Sequence, residues 1–441
     1  MATFSITSLG CAKNLVNSEQ MCFLLSEAGY RQVPDPDGAD LAVINTCGFI
    51  DAAKSEAIDC ILEHAGLKKE NRLGGLIVTG CLPERYQEEI QQELPEIDAV
   101  LGVGSYGDIV FAADKVLQHR SFRAFAKDST AVDEIPRLVS TGPAWAYIRI
   151  AEGCNNFCAF CAIPYIRGRY RSREMNAIVH EAEALAAGGV KELIVIAQDI
   201  TRYGTDLYHR HCLAELCHRL SEIPGIRWIR LHYLYPDQFS EDLINEIAGN
   251  DKILKYLDIP IQHINNRILR QMNRHGSGDE IRELFRTLRE RIPGLVIRTS
   301  LIAGLPGEGE AEFEELCDFL RSAHIERAGV FPFSPEEGTP AAGMPHVGEE
   351  TARKRADLIM ELQSRFLDEF AESLVGKTIP VLVESFDADE HVWIGRSYAD
   401  SPEIDSFVKI EGDCAPGGMP LVQIERAENG VLCGKVAEMT C

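Results

Sequence analysis

Three cysteines stand close together in the middle of the chain, in the segment Cys154-Asn-Asn-Phe-Cys158-Ala-Phe-Cys161. Thiolates separated by three and two residues can bind three irons of a 4Fe–4S cluster from a single loop. The fourth iron then has no protein ligand from this loop and can bind a small molecule. A three-cysteine zinc site and unligated buried thiols are the alternatives. The spacing favours an iron–sulfur cluster with one open coordination position.

Three further cysteines, Cys11, Cys47 and Cys81, each follow a short apolar segment that is predicted as a strand. These segments are residues 4–9, 41–46 and 76–79. Helical spacing in residues 14–29 and 53–69 separates them, and this alternation predicts a doubly wound parallel sheet. Ligands bind beyond the carboxyl ends of the strands in such sheets, so the three cysteines can converge although they are far apart in sequence. A second cluster site and three buried structural thiols are both compatible with this pattern.

The rest of the chain predicts two further regions after a linker at residues 121–142, which contains Asp133. A second alternation of strands and helices follows, with strands predicted at residues 147–151, 192–197, 228–232, 256–259, 296–302 and 329–333. Six such units predict an incomplete (β/α) barrel rather than a closed eightfold one. Residues 351–375 predict one long polar helix.

From Lys377 onward the pattern changes to short strands and turns, which predict a small β-barrel. These strands are predicted at residues 379–384, 392–395, 406–410 and 421–425. The fold class is therefore α/β, with a doubly wound parallel sheet, a partial barrel and a terminal β-barrel. The corresponding domains are predicted at residues 1–135, 140–373 and 374–441.

Composition limits the classes of function. The 441 residues include 44 basic and 68 acidic side chains, a net charge of −24, which disfavours non-specific nucleic-acid binding. The opening Met1–Gly10 is too short and polar for a signal-peptide core, and no apolar run is long enough to span a membrane. We therefore expect a cytoplasmic protein without a membrane partner. In a reducing compartment, clustered cysteines indicate metal or catalytic sites rather than disulfides.

The spacing CxxxCxxC after the first strand of a partial barrel resembles the signature of radical S-adenosylmethionine (radical SAM) enzymes. The resemblance implies that the open iron binds S-adenosylmethionine and that an electron from the cluster yields a deoxyadenosyl radical. It also implies that Phe160 lies near the adenine and that the turn at Gly304 contacts the nucleoside. Gln198 and Asp199, at the end of a predicted strand, and Arg298 are further candidates for this site. A structural polar pair is the alternative for Gln198 and Asp199.

The order of motifs along the chain resembles the methylthiotransferase family over essentially its whole length. That family combines an amino-terminal domain carrying three cysteines, a radical SAM barrel and a terminal TRAM domain. The resemblance implies that Cys11, Cys47 and Cys81 bind a second 4Fe–4S cluster. Two clusters are chemically sensible because one must stay free for S-adenosylmethionine while the other carries sulfur.

The family splits mainly into enzymes that modify tRNA adenosines and enzymes that modify a ribosomal protein. This chain resembles the second branch, in the segments 8–18, 45–50, 78–86, 161–173, 233–236, 258–263, 334–340 and 395–405. The terminal module carries five basic and twelve acidic residues, whereas a module that grips tRNA should be basic. An acidic module suits a basic ribosomal protein, although general solubility explains the charge as well.

The resemblance to this branch implies methylthiolation of an aspartate β-carbon in small-subunit ribosomal protein S-twelve, with an unidentified electron donor as a further partner. A tRNA adenosine methylthiotransferase and a non-catalytic iron–sulfur carrier are the alternatives. No acid–base pair is evident, so no catalytic residue of that kind is assigned. The basic stripe Arg167, Arg169, Arg171 and Arg173 stays unassigned. His263 is predicted as a hydrogen-bonded core residue, and the eight cysteines outside the two trios as ordinary thiols.

Overall fold

The computed structural model describes residues 1–126, 132 and 134–437. Asp133 of the predicted linker and Cys441, one of the predicted ordinary thiols, lie outside the described residues.

The amino-terminal part forms a six-stranded parallel sheet in the order β2-β1-β3-β4-β5-β6. Its strands are β1 (Thr3–Ser8), β2 (Arg31–Gln32), β3 (Leu41–Thr46), β4 (Gly75–Gly80), β5 (Ala99–Leu101) and β6 (Phe122–Ala124). Its helices are α1 (Ala12–Glu27), α2 (Asp51–Lys69), α3 (Cys81–Arg85), α4 (Glu89–Glu93) and α5 (Ile109–Leu117), with a 3₁₀ turn at Tyr106–Asp108. The prediction of a linker was wrong at β6, which pairs in parallel with β5.

Alternating side chains of this sheet enter two separate hydrophobic cores. Val43 of β3 belongs to one core with Met21 of α1, while the next residue, Ile44, belongs to the other with Ile61 of α2. Because successive side chains of a strand point to opposite faces, helices must cover both faces of the sheet. The predicted doubly wound architecture is confirmed.

A second six-stranded sheet has the order β14-β13-β12-β11-β10-β7. Between its first strand, β7 (Trp145–Arg149), and the next lies a short antiparallel pair, β8 (Ala151–Glu152) and β9 (Arg171–Ser172). The other strands are β10 (Glu192–Ile196), β11 (Trp228–Leu231), β12 (Ile253–Asp258), β13 (Val296–Ala303) and β14 (Arg327–Pro332), which pair in parallel. The strand order follows the chain and does not close, as predicted for a partial barrel.

The helices of this region alternate with its strands. They are α6 (Ile163–Ile166), α7 (Met175–Ala187), α8 (Leu213–Ser221), α9 (Glu241–Gly249), α10 (Asn266–Gln271), α11 (Gly278–Arg291), α12 (Glu310–Ala323) and the long α13 (Glu349–Ser373), with 3₁₀ turns at Pro236–Gln238 and Pro340–Gly343. The polar helix predicted at residues 351–375 is α13.

The terminal module is a six-stranded, mainly antiparallel sheet in the order β15-β19-β20-β18-β17-β16. Its strands are β15 (Thr378–Pro380), β16 (Leu382–Asp387), β17 (Val392–Arg396), β18 (Val408–Glu411), β19 (Leu421–Glu428) and β20 (Val431–Val436). One residue, Val381, separates β15 from β16, yet these strands lie at opposite ends of the strand order. The sheet must therefore curl back on itself, which gives the predicted barrel.

Residues 397–405, which make up most of the connection between β17 and β18, form what we call the floor segment. Ser397, Asp400 and Ser401 of this segment are buried. Arg230 of β11 donates to the carbonyls of Ser397 and Tyr398, and Arg327 of β14 forms an ion pair with Asp400. The terminal module is thus fastened to the second sheet by buried charges.

The described chain divides into two compact units. The first consists of Met1–Ser140, Arg149–Ala177 and Ser334–Ala342, and the second of Thr141–Ile148, Ile178–Phe333 and Gly343–Cys441 as far as these are described. The segment with Cys154, Cys158 and Cys161 therefore belongs to the same unit as the amino-terminal sheet. The second unit combines the second sheet with the terminal module.

Candidate functional site

The structure brings Cys11, Cys47 and Cys81 together at one edge of the first sheet. They follow β1, β3 and β4, which are neighbours in register, with Ser8 opposite Asn45 and Thr46 opposite Gly80. The loops behind these strands touch: a Cβ added at Gly10 would lie 2.6 Å from the Cβ and 3.1 Å from the Sγ of Cys47. Gly10 also has a φ of +89°, so this close approach requires glycine.

A buried amide network holds these loops in place. The side-chain nitrogen of Asn14 donates to the carbonyls of Leu9 (2.8 Å) and Thr46 (2.9 Å). The side chain of Asn45 donates in turn to the backbone carbonyl of Asn14 (2.8 Å) and to the hydroxyl of Ser18 (2.9 Å). Because these amides are buried and hydrogen-bonded, they fix the loops that carry Cys11 and Cys47.

A buried arginine stands beside the third cysteine. Arg167 directs one terminal nitrogen to both oxygens of Glu152, at 3.0 Å each. The other terminal nitrogen donates to the side-chain oxygen of Asn14 and lies 3.5 Å from the Sγ of Cys81. The guanidinium group therefore connects the segment after Cys161 to the amino-terminal cysteine site.

The three thiols differ in how readily they ionise. Burial raises the pKa of Cys47 to about 11 and also raises the pKa of Cys81, against the opposing charge of Arg167. Burial acts in the same sense on Cys11, but Lys13, Arg167 and backbone N–H donors outweigh it and lower the pKa of this thiol. Cys11 is also the N-cap of α1, where the helix dipole favours an anion. Since iron binds the thiolate, Cys11 is the cysteine best prepared to act as a ligand.

The second trio lies in the loop between β8 and α6. Gly153 opens this loop with a φ of +78°, and a Cβ there would lie 2.1 Å from the carbonyl oxygen of Arg169. The backbone N–H of Cys154 donates to the carbonyl of Gly168 (3.1 Å), and that of Cys161 to the carbonyl of Cys158 (2.9 Å). The loop is thus folded against residues 168–169 at Cys154, and a turn joins Cys158 to Cys161.

Both trios fit an iron–sulfur cluster by the chemistry of their donors. Each offers three thiols and no carboxylate or imidazole in the same set, which suits soft iron–sulfur chemistry. Within the described part of the chain, no group of three or more His, Cys, Asp or Glu side chains is spaced to share a single metal ion. A 4Fe–4S cluster places each thiolate on a different iron, so its ligands stand further apart than those of one ion.

The residues predicted for the S-adenosylmethionine site fall in both units. Phe160 belongs to the first unit, whereas Gln198, Asp199, Arg298 and Gly304 belong to the second. The buried Asp199 accepts hydrogen bonds from residues 201 and 202, and Arg298 forms a 2.8 Å ion pair with Asp258. The N–H of Gly304 donates to the side chain of residue 308 (2.9 Å). Their roles stay predictions.

His263 is the buried, hydrogen-bonded core histidine that the sequence predicted. It is fully buried, its Nδ1 accepts from the N–H of Asn265 (3.0 Å), and its Nε2 lies 3.4 Å from the carboxylate of Glu308. Sequence reasoning missed the parts played by Asn14, Glu152 and Arg167. The signal available for Arg167 was the basic stripe that had no assigned use.

Comparison with known proteins agrees with the order of these parts. Residues 148–320 match the radical SAM superfamily, residues 3–102 the uncharacterized protein family UPF0004, and residues 375–436 the TRAM domain. Among solved structures, the fold is similar to the radical S-adenosylmethionine methyltransferase TsrM from Kitasatospora setae, with TM-score 0.57, 15% identity and 77% of each chain covered. It is also similar to the radical enzyme OxsB, with TM-score 0.52, 12% identity and coverage of 83% of this chain and 56% of that one. The fold and the cysteine loop together define a radical SAM enzyme.

Full-length relatives specify the family. The chain is 46% identical to the ribosomal protein uS12 methylthiotransferase RimO of Thermoanaerobacter sp. (strain X514), over 94% of both proteins. It is 43% identical to RimO of Clostridioides difficile (strain 630), over 99% of both. The chain therefore belongs to the RimO family of methylthiotransferases, and the resemblance read from its motifs is confirmed. Among the described residues, no helix is long and apolar enough to cross a membrane.

Proposed function

We propose that this chain transfers a methylthio group to the β-carbon of an aspartate in ribosomal protein uS12. Membership of the RimO family supports the reaction and the substrate. The observation that carries the proposal is that both cysteine trios belong to the first compact unit. Within that unit α6 leads from Cys161 to Arg167, whose guanidinium lies 3.5 Å from the Sγ of Cys81. A reaction that needs a radical and a sulfur atom at one carbon requires its two sites to be held in one body.

In this proposal each trio holds one 4Fe–4S cluster. Cys154, Cys158 and Cys161 leave an open iron for S-adenosylmethionine, and Cys11, Cys47 and Cys81 leave one for sulfur. When bound, the first cluster supplies the electron that cleaves S-adenosylmethionine to a deoxyadenosyl radical, and the second supplies the sulfur. A second S-adenosylmethionine provides the methyl group, and an electron donor yet to be identified provides the electron.

Protein groups hold the cofactors and exclude water. Phe160, Gln198, Asp199, Arg298 and Gly304 are proposed to line the S-adenosylmethionine site. Cys81 and the charged side chains of Arg167 and Glu152 are buried, whereas Cys11 and Cys47 are half-buried, and this partial enclosure is proposed to limit the access of water to reactive species.

The terminal module is proposed to favour a basic protein as partner. Glu411, Glu425 and Glu428 on its strands are well exposed and are paired with Lys435 or Arg426, but the module as a whole has twelve acidic and five basic residues and stays negative. Exposed negative charge speeds encounter with a basic partner and disfavours nucleic acid. The domain boundaries near residues 135–140 and 373–374 and a cytoplasmic location are part of the same proposal.

Mass spectrometry of uS12 from cells with and without this gene tests the reaction and the substrate together. We expect a methylthio increment on one aspartate that disappears with the gene. Unmodified uS12 in both strains, together with loss of methylthio-adenosine from tRNA, would identify a tRNA enzyme instead. Failure of the reduced, reconstituted protein to cleave S-adenosylmethionine would leave an iron–sulfur carrier.

Two cysteine variants test the division of labour between the trios. Cys154→Ala should abolish deoxyadenosine formation, because the cluster that binds S-adenosylmethionine loses a ligand. Cys47→Ala should still form deoxyadenosine but should not modify uS12, because only the sulfur site is damaged. Cys414→Ala is the matched control, since this half-buried thiol lies outside both trios and should leave both products unchanged. Unimpaired modification of uS12 by either trio variant contradicts the proposed roles.

A further inference from the structure

The basic stripe after Cys161 does not act as one surface. Arg169 lies over the ring of Phe157, 4.6 Å from its centroid. Arg171 donates to the backbone carbonyls of residues 169 and 167. Arg173 pairs with Glu134 and donates to the carbonyl of residue 149. These three arginines hold local structure, and Arg167 is the member of the stripe that contacts a residue of the amino-terminal trio.

The surroundings of Arg167 fix its orientation. Its side chain is 1% exposed and that of Glu152 is 6% exposed. Glu152 accepts from one arm of the guanidinium and Asn14 from the other, so the planar fork is held at both ends. The arm that reaches Asn14 also points toward the Sγ of Cys81 at 3.5 Å, which is hydrogen-bond distance for sulfur.

The charge near Cys81 is positive in sum. Glu152 is shared between Arg167 and Arg149, whose Nη1 lies 2.9 Å from the same carboxylate. Two buried guanidinium groups therefore share one carboxylate, and Lys13, whose charge acts on Cys11 of the same trio, is buried as well. A charge that is removed from water acts strongly over a few ångströms because little solvent screens it.

We infer that Arg167 is a positioning residue for the amino-terminal cluster, which it serves by donating a hydrogen bond to the sulfur of Cys81 and by raising the reduction potential of that cluster. Hydrogen bonds to cluster sulfurs and nearby positive charge favour the reduced, more negative state. The same contact orients Cys81, so Arg167 also supports cluster binding. This inference rests on the proposed function, because it assumes a cluster at Cys11, Cys47 and Cys81.

The test isolates this cluster in a parent variant, which is the full chain with Cys154, Cys158 and Cys161 replaced by alanine. Iron and sulfide per chain are measured after anaerobic reconstitution, and the midpoint potential is measured by a redox titration followed by electron paramagnetic resonance. Arg167→Gln should lower the ratio of reduced to oxidised cluster at a fixed potential by about tenfold. For a one-electron couple this corresponds to a midpoint potential lower by about 59 mV. Arg167→Lys, which keeps the charge and loses the planar fork, should recover most of this loss.

A matched control and four possible outcomes decide the inference. Arg171→Gln changes an arginine of the same stripe that donates to backbone carbonyls, and its potential should equal that of the parent. A parent that binds no iron overturns both the proposed function and this inference. If the parent binds its cluster and Arg167→Gln has the same midpoint potential as the parent, the inference alone is overturned. The same holds if Arg167→Lys and Arg167→Gln lower the midpoint potential equally. Should Arg167→Gln fail to fold, Arg167→Lys decides alone: a midpoint potential slightly below that of the parent, with the iron content retained, supports the inference, and a potential equal to that of the parent overturns it.

Discussion

Replacing Glu192 with glutamine should destabilise the second unit strongly. Glu192 of β10 is fully buried. It accepts a hydrogen bond from Arg230 at 2.7 Å and forms an ion pair with Arg396 at 2.7 Å. Both arginines are themselves buried, and Arg230 also donates to carbonyls of the floor segment. The substitution keeps the shape of the side chain but removes its charge. It also places the NH2 group of the glutamine opposite one of the two guanidinium groups, so that two hydrogen-bond donors face each other.

The magnitude follows from the burial of all three partners. Removing one member of a buried ion pair costs about 3–5 kcal/mol, because the remaining charge is left uncompensated. For a unit of this size, 1 kcal/mol corresponds to about 2–4 °C in Tm, so Tm should fall by roughly 6–20 °C. Burial alone would raise the pKa of Glu192, but Arg396 and Arg230 outweigh it and lower the pKa. The stabilisation is therefore fully present at neutral pH and is lost as the pH falls below about 4.

Tryptophan fluorescence during urea unfolding reports on the stability of the second unit, to which Glu192 belongs. The chain has three tryptophans, Trp145, Trp228 and Trp393, and all three belong to the second unit. The guanidinium of Arg396 lies 5.6 Å from the Trp145 ring, so one tryptophan lies beside an ion-pair partner of the mutated carboxylate. Glu425→Gln, which breaks an exposed pair with Lys435, should leave the transition unchanged. A loss below about 1 kcal/mol in Glu192→Gln would refute the reasoning, since a buried pair costs at least about 3 kcal/mol to break.

Three further substitutions have outcomes that the structure specifies. Gly10→Ala places a Cβ 2.6 Å from that of Cys47 and should lower the iron bound per chain after reconstitution, whereas a full iron complement would show that the loops can separate. Burial lowers the pKa of His232 well below its usual value, so wild-type stability should fall as the pH drops below about 6.5. In His232→Gln the pH slope measured by urea unfolding should be flatter by about 1 kcal/mol per pH unit. Glu336→Gln removes a carboxylate that is paired with Arg85 at 3.0 Å and should speed amide exchange in residues 334–342, and unchanged exchange would contradict this.

Much of the cysteine site could be predicted from the sequence because the topology of a parallel sheet brings together residues that are far apart in the sequence. The apolar segments before Cys11, Cys47 and Cys81 coincide with β1, β3 and β4 to within about two residues, and parallel strands bring their carboxyl ends to one edge. Helical spacing in the segments between them was needed to predict that these strands are parallel. The spacing of the second trio was equally informative because a single loop carries all three thiols.

The elements that were missed are those with the least sequence signal. The strand β6 has three residues at the edge of the sheet, too few to show a period. The strand β20 contains Gly434, where a Cβ would lie 2.2 Å from the carbonyl oxygen of Gln423. Glycine is depleted in strands, and no strand was predicted there. Arg167 contacts Cys81 across 86 residues, a relation that only the packed structure reveals.

The first compact unit consists of three separate segments of the chain, so its parts become available for folding at different times during synthesis. The chain leaves the ribosome from its amino terminus, so Cys11, Cys47 and Cys81 emerge long before Arg167 and longer still before Ser334–Ala342, the last part of the unit. Until that part arrives, Arg85 and Lys54 lack the carboxylate of Glu336 with which they pair in the finished protein. The cysteine edge is therefore assembled in stages during synthesis. The compact unit that contains both cysteine trios is complete only after residue 342 of 441 has been translated.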